Sequence, residues 1–214
     1  MTKLIGPAGK LSSLLAVPAA GHPSFATMRG RLKLLFSGQP GCGKTSLAEE
    51  IATAICESKW GWESENGRNV TIHVVRRWAE DMSTSSLYGS GWKAKIVNEV
   101  DVMPSDAQDA LLSFLDEMPE QRAFIATSNL NLKSLTERFR TRLQRYEVKA
   151  PTSAEITELL TLLVPPAIAS HLAALSAGNV RAALLDAEAW RQENQPDDIV
   201  RIARQFDLFA NANA

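Results

Sequence analysis

Short apolar runs alternate with longer segments whose apolar residues recur at helical spacing along the first 150 residues. The apolar runs predict five β-strands, at residues 32–38, 69–75, 93–100, 122–129 and 144–150. Helical spacing predicts helices at 46–60, 105–118 and 132–143, the second with Ser105 as its N-cap and Gln108 three residues on. The polar segment 61–69 is predicted to be a loop. Strands alternating with helices indicate an α/β fold with a five-stranded parallel sheet covered on both faces.

The pattern changes at Pro151, after which every periodic segment is helical. Residues 153–163, 167–178 and 179–194 predict three helices, and 197–209 has the spacing of one more. We therefore divide the chain into an α/β domain at 1–150, a small all-helical domain at 151–194, and a C-terminal helix and tail at 195–214.

Composition narrows the class of protein. The chain has 214 residues, enough for one full core and a small second unit, and its apolar fraction of 45% is typical of a soluble globular protein. A net charge of −1 gives no bulk attraction to nucleic acid, so such a contact would need a local patch. No stretch approaches the roughly 18 apolar residues that span a bilayer. Two cysteines, Cys42 and Cys56, are too few for a disulfide scaffold and indicate a cytoplasmic protein.

A glycine-rich loop follows the first strand and precedes a helix. Its sequence, GQPGCGKTS at residues 38–46, fits the pattern G-x-x-x-x-G-K-[ST]. Glycines let successive N–H groups turn toward phosphate oxygens, and the helix N-terminus favours the same anion. Lys44 can reach the β- and γ-phosphates, and the Thr45 hydroxyl can ligate Mg²⁺. The predicted nucleotide-binding residues are Gly38, Gln39, Pro40, Gly41, Cys42, Gly43, Lys44, Thr45 and Ser46.

The predicted third strand ends in the acidic residues that a phosphate loop needs as a partner, in KIVNEVD at residues 95–101. In one register Asn98 faces the metal and Glu99 orients or deprotonates the attacking water. Asn98 supplies a dipole without a charge, which predicts weaker Mg²⁺ binding or slower turnover, by at most a few kcal/mol. In the other register Glu99 ligates the metal and Asp101 acts on water.

With these motifs in this order, the chain resembles the AAA+ ATPases, and most closely the clamp-loader subunits, over roughly residues 4–190. The resemblance implies further site residues. Asn129, which ends ATSN, would sense the γ-phosphate. Arg142, in FRTRL, would be an arginine finger that reaches a neighbouring subunit's ATP, with Arg140 as the alternative. Arg181, in GNVR, would be a second sensor on the bound γ-phosphate, and LIG at 4–6 would lie on the adenine side.

The resemblance implies an ATPase with a P-loop fold, with ATP and Mg²⁺ as cofactors and ATP at the interfaces of a homo- or hetero-oligomer. It further implies a ring-like assembly in DNA replication or repair, with primer-template DNA and a sliding clamp as candidate partners. Two other functions stay open. The loop LYGSGW at 87–92 resembles the pore loop of a protein-remodelling ATPase, and Asn98 would suit an ATP-binding adaptor with weak or no turnover. Arg76, Arg77 and Trp78 are a candidate contact for single strands, or a solvated strand end.

Overall fold

The computed structural model describes residues 30–86, 89–130 and 132–194. The chain divides into two compact units, Met1–Ala150 and Pro151–Ala214. The strands of the first unit are β1 (Arg31–Gly38), β2 (Trp62–Asn66), β3 (Lys93–Asn98), β4 (Arg122–Ser128) and β5 (Gln144–Val148). Its helices are α1 (Lys44–Cys56), α2 (Ile72–Ser83), α3 (Ser105–Glu117) and α4 (Glu137–Arg140). The second unit contains α5 (Ser153–Leu160), α6 (Pro166–Leu175) and α7 (Val180–Asn194).

The five strands form one parallel sheet in the order β2-β3-β4-β1-β5, which confirms the predicted fold class. In β1, Ser37 lies opposite Ser128 of β4 and Gly38 opposite Val148 of β5. Asn98 of β3 lies opposite the last residue of β2. Because the strands are parallel, all their carboxyl ends lie along one edge, which is where open α/β sheets bind ligands.

The two faces of the sheet bury different residues because successive side chains of a strand point to opposite sides. Leu34 and Phe36 pack on one face with helix α1, while Leu35 and Val97 pack on the other with α2, α3 and α4. This arrangement holds the carboxyl ends of β1 and β3 in a fixed relation to each other.

The prediction for residues 61–75 is wrong in two places. Residues 62–66 form the edge strand β2 where a loop was predicted, and α2 begins at Ile72 where a strand was predicted. The Thr71 side chain accepts a hydrogen bond from the Val74 N–H at 3.4 Å and caps α2. The buried face of α2 is Val75, Trp78 and Met82, a helical spacing that extends beyond the β-branched run. Burial of this face outweighs the strand preference of the run.

The predicted N-cap of α3 is also wrong. Pro104 occupies the N-cap position and Ser105 is already helical. The side chain of Gln108 is buried and ties α3 to the segment that precedes α4. Its amide donates to the Ser134 carbonyl oxygen at 3.1 Å and accepts from the Thr136 N–H at 3.0 Å.

The second unit is helical, as predicted. Thr152 and Glu155 form a reciprocal capping box that starts α5. Small side chains lie at the buried positions of the two later helices, Ala169 and Ala173 in α6 and Ala183 and Ala187 in α7. The predicted helix at 197–209 lies outside the described residues. Within the described ranges, no helix has the length and apolar character needed to cross a membrane.

Candidate functional site

The loop between β1 and α1 turns its backbone toward the carboxyl edge of the sheet. Gly38 ends β1, and α1 begins at Lys44 directly after Gly43. Gly41 and Gly43 have φ angles of 77° and 95°, a left-handed conformation that side-chain-bearing residues rarely adopt. The first turn of α1 contains no acidic residue, so its positive end is not neutralised locally. The loop therefore presents N–H groups and a helix N-terminus to an anion.

The start of the loop is packed too closely for any residue but glycine. A Cβ atom on Gly38 would lie 2.3 Å from the Val148 carbonyl oxygen of β5. The buried Cys42 thiol donates to the same oxygen at 3.5 Å. Burial raises the pKa of this thiol, against the smaller opposing effect of the Lys44 charge, so Cys42 is a packing residue and not a reactive thiolate.

The Lys44 ammonium closes the loop from inside. Its Nζ donates to the carbonyl oxygen of Gly38 at 3.0 Å and to that of Gln39 at 2.8 Å. A phosphate group seated in the loop would offer the ammonium a charged acceptor, which forms stronger hydrogen bonds than a carbonyl. The loop geometry thus fits the phosphates of a nucleotide.

Asn98 sits in a row of polar side chains that crosses three strands at the same edge. Its amide donates to the Ser64 hydroxyl of β2 at 2.8 Å, and its oxygen accepts from the Thr127 hydroxyl of β4 at 3.1 Å. The amide oxygen keeps one acceptor position, which could hold a metal-bound water. Strand β3 is two positions from β1, so Asn98 lies about 10 Å from the end of β1.

Glu99 follows directly and has a left-handed backbone, with φ of 54°. Its N–H donates to the Thr127 hydroxyl oxygen at 3.2 Å. Its exposed carboxylate accepts a hydrogen bond from the Asn66 amide at 3.2 Å. Asn66 ends the edge strand β2, so this contact draws the carboxylate toward β2, on the side of β3 opposite to β1.

Asn66 contacts the candidate site residue Glu99, and the sequence interpretation missed it because it fell in a predicted loop. Asn66 could have been found as a polar residue at the end of a strand that pairs with the acid-bearing strand β3.

Asp101 lies in the turn after β3, and its side chain binds the end of β4. Its Oδ1 accepts from the Ser128 hydroxyl at 3.0 Å and from the Asn129 N–H at 3.3 Å. These contacts hold Asn129 half-buried at the carboxyl edge. Asp101 is thus engaged by two donors at the end of β4, and the register in which Asn98 faces a metal and Glu99 faces water stays a prediction.

Arg142, in the turn after α4, forms a two-pronged ion pair with Asp116 of α3. Its Nε lies 2.8 Å from Oδ1 and its Nη2 2.7 Å from Oδ2, and Nη1 donates to the Arg138 carbonyl oxygen at 2.9 Å. The Arg142 guanidinium holds the pKa of the Asp116 carboxyl below its ordinary value. Arg140 is exposed, and within the described parts of the chain its side chain forms no ion pair. The structure thus separates the two candidate fingers by their surroundings.

Arg181 lies in the second unit, exposed in the first turn of α7. The Asn179 side chain accepts from the Ala182 N–H at 3.2 Å and starts this helix. The sensor role of Arg181 stays a prediction, and the segment at 4–6 lies outside the described residues.

Two of the other sequence candidates, Arg76 and Arg77, are exposed on helix α2 and do not form the predicted strand end. Leu87 and Tyr88 of the predicted loop at 87–92 fall outside the described residues, and its residues Ser90 and Trp92 are buried. The Ser90 hydroxyl donates to the Ile55 carbonyl oxygen and Trp92 is buried. Trp78 is fully buried in α2, so it cannot stack on a nucleic-acid base.

The two protein groups proposed as Mg²⁺ ligands, on Thr45 and Asn98, are both neutral. Among the described residues, no three His, Cys, Asp or Glu side chains are grouped so that they could hold a metal ion. The Thr45 hydroxyl and the Asn98 amide oxygen carry no charge, so Mg²⁺ would be held mainly by nucleotide phosphates. The residues fit Mg²⁺ that arrives with a nucleotide better than Mg²⁺ alone.

Comparison with known proteins identifies relatives of this chain. The chain is 28% identical over 145 residues to a replication factor C small subunit of Methanosarcina mazei, covering 64% of this chain and 42% of that protein. It is 28% identical over 185 residues to replication factor C subunit 3 of Blastobotrys adeninivorans, covering 77% and 54%. The chain therefore spans about half the length of these relatives.

Solved structures share the fold. A DNA polymerase III gamma subunit-related protein of Thermotoga maritima superposes with a TM-score of 0.62 at 17% identity, covering 86% of this chain and 58% of that one. A RuvB variant from the same organism gives a TM-score of 0.68 at 19% identity, covering 95% and 68%.

The family model described as "ATPase family associated with various cellular activities (AAA)" matches residues 34–152, which is more than half of the chain and runs from β1 past β5. The phosphate loop, the acid-bearing strand and the end of β4 all fall inside this match. The chain belongs to the AAA family of ATPases, a family whose members bind nucleotides.

Proposed function

We propose that this chain binds MgATP at residues 38–46 and hydrolyses it as a subunit of a ring-like, clamp-loader-like assembly in DNA replication or repair. One observation carries the proposal. The phosphate loop and Glu99 lie at the same edge of one parallel sheet, two strand positions apart, which leaves room for a triphosphate and an attacking water between them.

The proposed chemistry assigns a task to each side chain. Lys44 and the loop N–H groups bind the phosphates, and Glu99 takes a proton from the attacking water. Asn129 donates to the γ-phosphate oxygens and so senses whether that group is present. Bound Mg²⁺ would neutralise charge on the phosphates, with the Thr45 hydroxyl and a water on Asn98 as its protein-side contacts.

Hydrolysis is expected to depend on assembly. An arginine from a neighbouring subunit stabilises the charge that spreads over the transferred group, an effect that reaches about 10³–10⁵ in rate in other phosphoryl-transfer systems. Arg142 is the proposed donor, and Arg181 is the proposed second sensor of the γ-phosphate. The names of the relatives, replication factor C subunits, support a role in replication, and primer-template DNA and a sliding clamp are the proposed partners.

A second candidate function is an ATP-binding adaptor with little turnover. Two contacts favour it. Asn98 offers the proposed cation site an amide dipole and no negative charge. Asn66 holds the Glu99 carboxylate on the β2 side of the carboxyl edge. The adaptor would bind ATP with the same loop and use the bound state, not hydrolysis, as its signal.

The test is a steady-state ATPase assay across a series of protein concentrations, with and without primer-template DNA. We expect specific activity to rise with protein concentration and with DNA. The Lys44→Ala variant should lose ATP binding, and Glu99→Gln should retain ATP without turnover. ATP binding with no turnover at any concentration would support the adaptor instead. Stimulation by an unfolded protein but not by DNA would support a remodelling ATPase.

A further inference from the structure

Residue Asp116 holds the candidate finger Arg142 by one side of its guanidinium. The Nε and Nη2 atoms of Arg142 bind the two carboxylate oxygens at 2.7–3.0 Å, and Nη1 binds the Arg138 carbonyl oxygen at 2.9 Å. Arginine has five N–H donors in a planar fork. These contacts engage three of them, so two donors on the outer end stay available.

Both ends of this ion pair stand on anchored elements. Asp116 lies in the last turn of α3, beside Leu115, which is fully buried. The short helix α4 is anchored by Phe139, whose side chain is buried. Its ring packs edge-on against the ring of Phe124 on β4, with 6.3 Å between the ring centroids. The planar fork therefore has a fixed orientation relative to the sheet.

The ion pair between Asp116 and Arg142 matters more for the orientation of the guanidinium than for the folding stability of the chain. The side chains of Arg142 and Asp116 are 31% and 50% exposed. Exposed ion pairs add little to folding stability. What the pair does provide is a guanidinium whose rotamers are restricted before any phosphate arrives, which lowers the entropic cost of reaching a defined geometry.

Arg140 offers a contrast two residues earlier. It is exposed, and in the described ranges no carboxylate pairs with its side chain, so its orientation is not restricted in this way.

We propose that Asp116 is the positioning residue for Arg142 and orients the guanidinium so that its outer donors face the ATP of a neighbouring subunit. This inference rests on the proposed function. It selects Arg142 over Arg140 as the finger and assigns a role to the acidic residue that ends α3.

The first test measures turnover of the full chain at saturating MgATP and at a subunit concentration where wild-type activity has levelled off. Asp116→Asn should lower kcat by about tenfold or more, since small misplacements of an oriented group carry losses of this size. KM for ATP should stay within about twofold of wild type, because the residue does not touch its own subunit's nucleotide. Asp116→Glu should regain part of the rate.

Two controls make this test specific. Asp109→Asn removes an exposed carboxylate from the same helix and should leave turnover and thermal stability at wild-type values. In an Arg142→Ala background, Asp116→Asn should cause no further loss, because residues that act through one another are not additive. An equal loss in both backgrounds would overturn the inference.

Mixed subunits locate the effect. A Lys44→Ala chain lacks its own ATP site but carries Arg142, and an Arg142→Ala chain has the reverse defect, so their mixture should regain activity. Asp116→Asn should lower this gain by about tenfold when placed in the Lys44→Ala chain and have no effect in the Arg142→Ala chain. The opposite pattern, or a requirement for Arg140 in place of Arg142, would overturn the inference and leave the proposed ATPase standing. Absence of ATP turnover by the wild-type chain would overturn both this inference and the proposed ATPase function.

Discussion

Glu99 is a catalytic candidate held in a costly conformation. A left-handed backbone at a non-glycine residue costs on the order of 1 kcal/mol and persists only where the surroundings impose it. Here the Thr127 hydroxyl binds its N–H, and the Asn66 amide binds its carboxylate. The side chain is exposed, so no close packing prevents it from turning away from Asn66. We therefore expect the hydrogen bond from Asn66 to Glu99 to limit the rate of hydrolysis.

The Asn66→Ala substitution removes this hydrogen bond. We expect basal turnover to rise by about three- to tenfold, because one hydrogen bond to a charged group no longer holds Glu99 on the β2 side. The measurement is the ATPase rate without DNA, with Glu65→Ala on the same strand as the control. A fall in rate would mean that Asn66 orients Glu99 for catalysis.

Asn98→Asp adds a carboxylate at the proposed cation site. We expect the Mg²⁺ concentration for half-maximal ATP binding to fall by about tenfold, since a unit charge near Mg²⁺ is worth a few kcal/mol before screening. Mg²⁺ titrations with a fluorescent ATP analogue measure this shift. Ser64 can donate its own hydroxyl proton to the new carboxylate, so the fold should be retained. An unchanged Mg²⁺ dependence would place the cation away from residue 98.

At the scale of elements, the site depends on how closely β1, its loop and β5 approach one another. The Val148 carbonyl oxygen lies where a Cβ of Gly38 would be, and Cys42 packs into the same corner. The loop can curl over the strand end only because position 38 has no side chain.

Gly38→Ala should disrupt this packing. A 2.3 Å approach to a backbone oxygen cannot be relieved by a side-chain movement, so the ends of β1 and β5 must shift. We expect the free energy of unfolding to fall by about 1–3 kcal/mol, the usual cost of overpacking, and ATP affinity to fall with it. Denaturant unfolding and ATP titration measure the two effects. The control is Arg31→Ala at the exposed start of the same strand, which should leave the free energy of unfolding near the wild-type value. Equal stability of the two variants would contradict the packing argument.

Sequence reasoning succeeded where an element's pattern matched its surroundings. The apolar runs of β1, β3 and β4 are buried on both faces, so burial and pattern agree. It failed for β2, since an edge strand of half-exposed polar residues has no apolar run to detect. It failed for α2 because the run from Val70 to Val75 carries strand propensity, whereas the buried residues Trp78 and Met82 lie beyond it. Asn66 was missed for the same reason.

At the scale of the whole molecule, the two units have different architectures. Met1–Ala150 holds the sheet and the phosphate loop, and Pro151–Ala214 holds the helices α5 to α7. Ligand binding is therefore expected to stabilise the chain through the first unit.

MgATP should raise the thermal midpoint of the chain. At about 100 times the dissociation constant, a ligand that binds only the folded state adds about 2.7 kcal/mol. For a chain of this size that corresponds to a rise of about 5–10 °C. Differential scanning fluorimetry measures the shift, and Lys44→Ala should show none. A shift of the same size in that variant would place the nucleotide elsewhere.

The sequence by itself determined the fold class and the positions of the glycine-rich loop and the acid-bearing strand, because each depends on local pattern or on residue types at a fixed spacing. The order of the strands, the contact between Asn66 and Glu99, and the engagement of Asp101 with the end of β4 were decided by tertiary structure. So was the ion pair between Asp116 and Arg142. These contacts join residues that are 26–33 positions apart in the chain, and no local periodicity encodes which strand or helix will lie beside another.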